Sequence, residues 1–114
     1  MFKLSQTVAG TWVITTPNPE EKGWETQLAE FDMTRVTPGT PSGDALEMAA
    51  AASLATIVTT MAGALVDEND EARMADLYQV TSHDDNAVAR MEVQVKKTIG
   101  AILQAERDRD ERLP

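Results

Sequence analysis

A stretch of nineteen residues without a charged side chain, MAAAASLATIVTTMAGALV at residues 48–66, constrains this sequence most, because the whole chain of 114 residues carries a formal net charge of −9. Nineteen residues reach the lower length limit of a membrane-spanning helix. However, four of them are Ser or Thr, many others are Ala, and the flanking residues are acidic rather than basic. We therefore predict a helix that is buried in a core or an interface.

The apolar spacing in this stretch predicts one helix over about residues 43–66. A stripe of larger side chains at helical spacing comprises Leu46, Ala50, Leu54, Ile57, Met61 and Leu65. An adjacent stripe of small residues comprises Ala51, Ala55, Thr59 and Gly63. Such a helix is apolar or small nearly all round, so we expect it to be buried on more than one side.

The segment TPGTPSGD, residues 37–44, is a linker that leads into this helix, because its two Pro and two Gly suit neither a strand nor a helix. Thr40 or Ser42 is expected to cap the helix, with Pro41 in its first turn. Asp44 and Glu47 would then lie near the positive end of the helix dipole.

Residues 7–36 have the alternation and the residue types of a β-hairpin. TVAGTWVITT and WETQLAEFDMTRV are the two predicted strands, and PNPEEKG is the turn between them. Trp12 and Ile14 are expected on one face of the first strand. Leu28 breaks the alternation of the second strand, which predicts a bulge near residues 28–29.

Two more helices are predicted after residue 66: a short one over about 70–80 and a long one over about 84–109. The apolar stripe of the long helix comprises Val88, Met91, Val95, Ile99, Ile102 and Leu103. Ser82 and Asp85 resemble a capping box at its start. The predicted fold class is therefore α+β, an N-terminal β-hairpin followed by about three helices. A single domain over 1–114 would comprise the hairpin (1–36), the linker (37–44), a helical part (45–109) and a frayed tail (110–114).

The composition narrows the classes of partner. The sequence pI of about 4.4 predicts repulsion of nucleic acid and of anionic lipid, so we expect neither as a direct partner. There is no cysteine, which excludes disulfides and cysteine-based metal sites and suits the cytoplasm.

Catalytic and metal-binding motifs are weak in this sequence. DENDE, residues 67–71, has the first spacings of a calcium loop, but Ala72 and Tyr78 stand where Gly and Glu are needed. His83 is the single histidine and has no second His or nucleophile to work with, so we interpret it as a residue at a helix start. We expect no catalytic residues, no cofactor and no metal, and we predict that the protein is not an enzyme.

The first 36 residues resemble the start of phage tail assembly chaperones through the segments MFKL, TWVITTPNP, EEKG and LAEFDMTRV. The resemblance implies a small acidic protein that keeps the tail tape-measure protein soluble until tube subunits assemble round it. It also implies the host cytoplasm as the location, and helices after the two strands.

The residues themselves favour a protein that works by contact. We expect a helical partner segment to bind through apolar and Met-bearing helix faces. The predicted partner-binding residues are Leu54, Ile57, Met61, Leu65, Val95, Ile99 and Ile102. We also predict a homodimer through helices one and three. Two other classes stay open, namely a small acidic inhibitor that blocks a basic nucleic-acid-binding surface, such as an anti-defence protein, and an oligomeric structural subunit of a virion.

Overall fold

The computed structural model describes residues 1–18, 20–62 and 70–112 and confirms the α+β class. In chain order the elements are β1 (Phe2–Gln6), β2 (Trp12–Pro17), β3 (Glu25–Phe31), α1 (Pro41–Ala62), α2 (Asp70–Ala75), β4 (Tyr78–Thr81) and α3 (Asp85–Arg112). The predicted helix one thus begins two residues earlier than expected, and its expected end at residue 66 lies outside the described residues.

The strands form one four-stranded sheet in the order β3-β2-β1-β4. β2 is antiparallel to both β1 and β3, whereas β4 is parallel to β1. Leu4 lies opposite Ile14 on one side and opposite Val80 on the other, and all three side chains are buried. Because directly paired residues share a face, this row identifies the face that the helices cover.

The predicted hairpin is formed by β2 and β3. Trp12 and Ile14 are fully buried on the covered face, as the alternation predicts. The predicted bulge is confirmed as well: Ile14 pairs with Ala29 and Thr15 pairs with Gln27, so Leu28 is the extra residue. The first strand starts later than expected, because Thr7 and Gly10 make the turn between β1 and β2.

The sequence analysis missed β1 and β4. The predicted second helix over 70–80 is too long, because α2 ends at Ala75 and the chain enters β4 at Tyr78. The Phe2 N–H donates to the Leu77 carbonyl at 2.8 Å, which starts the parallel β1–β4 pairing. β4 has only four residues, and its apolar residues continue the helical spacing of the preceding segment, so pairing with β1 decided its conformation.

The start of α1 agrees with the sequence. The Thr40 hydroxyl accepts a hydrogen bond from the Gly43 N–H at 3.2 Å, and Pro41 is the first helical residue. Glu47 was expected to act on the helix dipole but is buried. Ala50, Ala51, Leu54, Ala55, Val58 and Thr59 are buried along the same helix. Ala51, Ala55 and Thr59 of the small-residue stripe therefore pack inside the chain, while Gly63 lies outside the described residues.

α1 and α3 lie side by side on the covered face of the sheet. Arg90, near the start of α3, contacts Glu47, near the start of α1, so the two helices run in the same direction. Met91, Val95, Ile99 and Leu103 of the predicted α3 stripe are buried. The predicted capping box is wrong: the cap is Asp84, whose carboxylate accepts the Asn86 N–H at 2.9 Å, while Ser82 accepts the Asp84 N–H.

Candidate partner-binding surface

The structure divides the predicted partner-binding residues between the core and the surface. Leu54, Val95 and Ile99 are at most 2% exposed, so they hold the helices against the sheet. Ile57 and Ile102 are partly buried at the rim of the core, and Met61 is 70% exposed. Leu65 lies outside the described residues. Of the six described residues of this set, Ile57, Met61 and Ile102 are therefore placed to touch a partner of the folded chain.

The solvent side of α1 is unusual for a protein with this charge. Residues 48–62 contain no charged side chain, although one side of this segment faces solvent. The exposed residues of this segment are Met48, Ala49, Thr56, Thr60 and Met61. Yet in residues 1–18, 20–62 and 70–112 no helix has both the length and the mean hydropathy that a membrane span requires. An uncharged exposed helix side of this kind suits contact with another protein.

An open groove of about 430 Å³ lies between β3 and α1. Its walls are formed by Ala29 of β3 and by Ala52, Ser53, Thr56 and Ile57 of α1. We call it the β3–α1 groove. None of these side chains is charged, and all but Ile57 are small.

Two large apolar side chains of the β3 region are exposed to solvent. Trp24, just before β3, is 68% exposed and Leu28 of β3 is 45% exposed. The chain turns through residues 32–40 from the end of β3 to the start of α1, so α1 runs antiparallel to β3. Met61, one helical turn beyond Ile57, therefore lies towards the end of β3 that carries Trp24.

The acidic residues of β3 are on the face of the sheet away from the helices. Lys3 Nζ donates to Glu25 Oε1 at 2.8 Å and the Thr15 hydroxyl donates to Glu25 Oε2 at 3.1 Å. The hydrogen bond from Lys3, followed by that from Thr15, lowers the pKa of the Glu25 carboxyl. Glu30 pairs with Val13 on the same face. β3 thus combines an apolar groove on one side with carboxylates on the other.

A second groove of about 450 Å³ lies between β4 and α3. Tyr78, Gln79, Glu92, Val93 and Lys96 contribute to its lining. Burial, and to a smaller extent the nearby Glu92 carboxylate, raises the pKa of the Tyr78 hydroxyl above its usual value. This groove is mixed in polarity and carries charges of both signs, in contrast to the β3–α1 groove.

A smaller cleft between the first turns of α1 and α3 is held together by Glu47. The carboxylate accepts hydrogen bonds from Trp12 Nε1 at 3.1 Å and from Arg90 Nη2 at 2.9 Å. Met48 also lines this cleft, on the side of α1 away from Met61. The Glu47 contacts join β2, α1 and α3, so we assign this cluster a structural role.

The described part of the chain brings no three His, Asp or Glu side chains together as a metal site. His83 is exposed beside the start of α3, and the calcium-like spacing of residues 67–71 falls mostly outside the described residues. No known family model matches this chain, and neither a curated protein nor a solved structure is similar to it.

The sequence analysis did not include Trp24 and Leu28 among the partner-binding residues. The alternation break at Leu28 was a usable signal, because the extra residue of a bulge has no paired residue opposite it, so its side chain departs from the regular alternation of the strand. For Trp24 the sequence carried no such signal, because the exposure of a Trp beside a strand depends on how the chain packs.

Proposed function

We propose that this protein is a non-enzymatic protein-binding module that holds an apolar segment of a partner protein in the β3–α1 groove. The groove itself carries this proposal: it is uncharged and open in a chain with a net charge of −9, and Met61, one helical turn beyond Ile57 of its wall, is 70% exposed. Contiguous exposed apolar surface of this kind marks interaction sites in proteins.

The resemblance of residues 1–36 to phage tail assembly chaperones supports a narrower proposal. In that case the partner is the tape-measure protein, held soluble in the host cytoplasm before the tail tube assembles. The small side chains of Ala29, Ala52 and Ser53 support it too, because they allow the backbone of a partner to approach closely. Self-association as a dimer remains a separate proposal.

Met61→Gln tests the groove, because it removes apolar contact at an exposed position without changing the charge. We expect the Kd for the partner to rise by about tenfold, which is the loss of part of one buried Met side chain. Met48→Gln is the matched control, since Met48 is 56% exposed on the same helix but lines the α1–α3 cleft. It should leave the Kd unchanged.

Co-expression with a tape-measure protein encoded beside this gene tests the narrower proposal. We expect the wild-type chain and Met48→Gln to increase the soluble amount of that protein, and Met61→Gln to do so less. Apolar docking should persist at high salt, whereas binding through the acidic residues, as in an acidic inhibitor, weakens steeply. Equal loss with both variants, or a steep loss of binding with added salt, would contradict docking in the groove.

A further inference from the structure

β3 is an edge strand with room beside it. Among the described residues it pairs with β2 alone, and residues 25–28 are all exposed. An edge strand presents unpaired backbone N–H and C=O groups, which form a template for a further strand. The opposite edge, β4, has four residues against seven in β3 and lies beside the charged groove.

The flank of α1 extends over the space next to β3. Thr56 and Ile57 of the helix and Ala29 of the strand line the same groove. A fifth strand paired with β3 would therefore have this side of α1 as a neighbouring wall. A strand paired with β3 would lie about 4.8 Å from it, whereas a helix packed against α1 would need about 8–10 Å between the two helix axes. A strand there would also satisfy the backbone groups of β3, which a helix cannot do.

The charges on β3 select the occupant. Glu25 and Glu30 lie on the open face of the sheet, separated by Gln27 and the bulge. A second copy pairing antiparallel about the centre of β3 would place Glu25 close to Glu30 of its partner, and like charges in such pairs are destabilising. The bulge at Leu28 also bends the strand, which hinders pairing of two long flat edges.

We infer that the partner segment in the β3–α1 groove is extended and pairs with β3 as a fifth strand. Its apolar side chains alternate towards Ile57, and a Lys or Arg side chain faces Glu30, since Glu25 is already paired with Lys3. This inference rests on the proposed function and adds the conformation and the charge of the bound segment. The bound segment therefore carries at least one basic side chain among its apolar ones.

Capped seven-residue peptides with alternating Val and Lys are the probe. Two control peptides keep the length: one has Glu in place of Lys, and one has the Val and Lys residues in a helical order. NMR amide hydrogen exchange of the full chain, with the chemical shift of the Trp24 indole N–H, follows binding. We expect exchange in residues 25–31 to slow about tenfold with the alternating Lys peptide, and exchange in residues 78–81 to stay unchanged. N-methylation of alternate peptide bonds along one edge should abolish the effect.

Glu30→Lys should raise the Kd of the alternating Lys peptide about fivefold, since it turns an opposite-charge pair into a like-charge pair. Glu92→Lys is the matched control at the β4–α3 groove and should leave the Kd unchanged. Binding of the helical-order peptide with a response of Trp24 but no slowing in β3 would overturn strand pairing and leave groove binding intact. Absence of slowing with every peptide also overturns strand pairing, while the Met61→Gln comparison judges the proposed function separately.

Discussion

Glu47 shows how a single side chain can be correctly placed in a helix and still have an unexpected role. The sequence put it near the start of α1, where a carboxylate favours the helix dipole. Its actual partners, Trp12 and Arg90, are 35 and 43 positions away. No local pattern could identify them, because only the packing of β2, α1 and α3 brings these groups together.

Arg90→Met should destabilise the fold, because it leaves the buried Glu47 carboxylate with the Trp12 N–H alone. We expect a loss of about 2 kcal/mol in the free energy of unfolding, less than for a fully buried pair because Arg90 is half exposed. Glu47→Gln in the Arg90→Met background should recover part of the loss. Urea unfolding of both single variants and the double variant measures this coupling, and strict additivity would argue against it.

Tyr78 is the sole tyrosine, so the ultraviolet absorbance of tyrosinate reports on this residue alone. Burial and then Glu92 raise the pKa of its hydroxyl above 10.0, so the folded state favours the neutral form. The stabilising contribution is present below pH 10 and is lost as the pH rises through the raised folded pKa.

In a pH titration followed by tyrosinate absorbance, we expect the midpoint of the folded chain to lie above that of the urea-unfolded chain. Glu92→Gln should lower the midpoint of the folded chain, but by less than the whole difference, because burial is the larger cause of the raised pKa. Equal midpoints for folded and unfolded chains would show that the Tyr78 hydroxyl is not buried in solution.

At the scale of elements, what could be predicted depended on length. β2, β3, α1 and α3 are long enough for their periodicity to be detected, and the bulge at Leu28 followed from one break in it. β1 and β4 have five and four residues. Phe2 and Leu4 do alternate with Lys3 and Ser5, but five residues alone do not specify a strand. The division of the helix stripes between core and surface needed the sheet, since Leu54 and Ile57 have the same character in sequence.

Gly43→Ala tests how α1 joins the preceding turn. A Cβ at this position would overlap the Thr37 carbonyl oxygen and lie 3.1 Å from the Thr37 carbonyl carbon. We expect a loss of about 1–3 kcal/mol, although Ala ordinarily favours a helix over Gly. Thermal unfolding measures the change. Ser42→Ala, at the exposed neighbouring position, is the control and should change the stability little; stabilisation by Gly43→Ala would contradict the close approach.

At the scale of the whole molecule, the sheet and the two long helices form two layers, and no described helix packs on the second face of the sheet. The predicted dimer was based on more helix surface than a hairpin could cover. Four strands rather than two now cover the helices, and Ala55 is buried within the chain. The dimer stays a prediction, and its interface would use the outer sides of α1 and α3.

Sedimentation at micromolar concentration tests self-association. A dimer would give twice the mass of the 12.4 kDa chain, and a species of 12.4 kDa throughout would contradict it. Ala55→Glu should unfold the chain in either case, because the carboxylate would enter the core. The variant that addresses the interface is Val93→Lys, since Val93 is 62% exposed on α3. It should weaken a dimer through α3 and leave the fold intact.

The central place of β1 has a consequence for the order of assembly during synthesis. β1 is made first, and β2 follows it at once, but its other neighbour, β4, is joined to it across 76 positions, as in the pairing of Phe2 with Tyr78. Until residues 78–81 leave the ribosome, β1 is itself an open edge, and the side of α1 that α3 later covers is exposed. Long-range pairing of this kind folds slowly. The nascent chain therefore passes through an interval in which its own first strand is the surface most prone to mispairing.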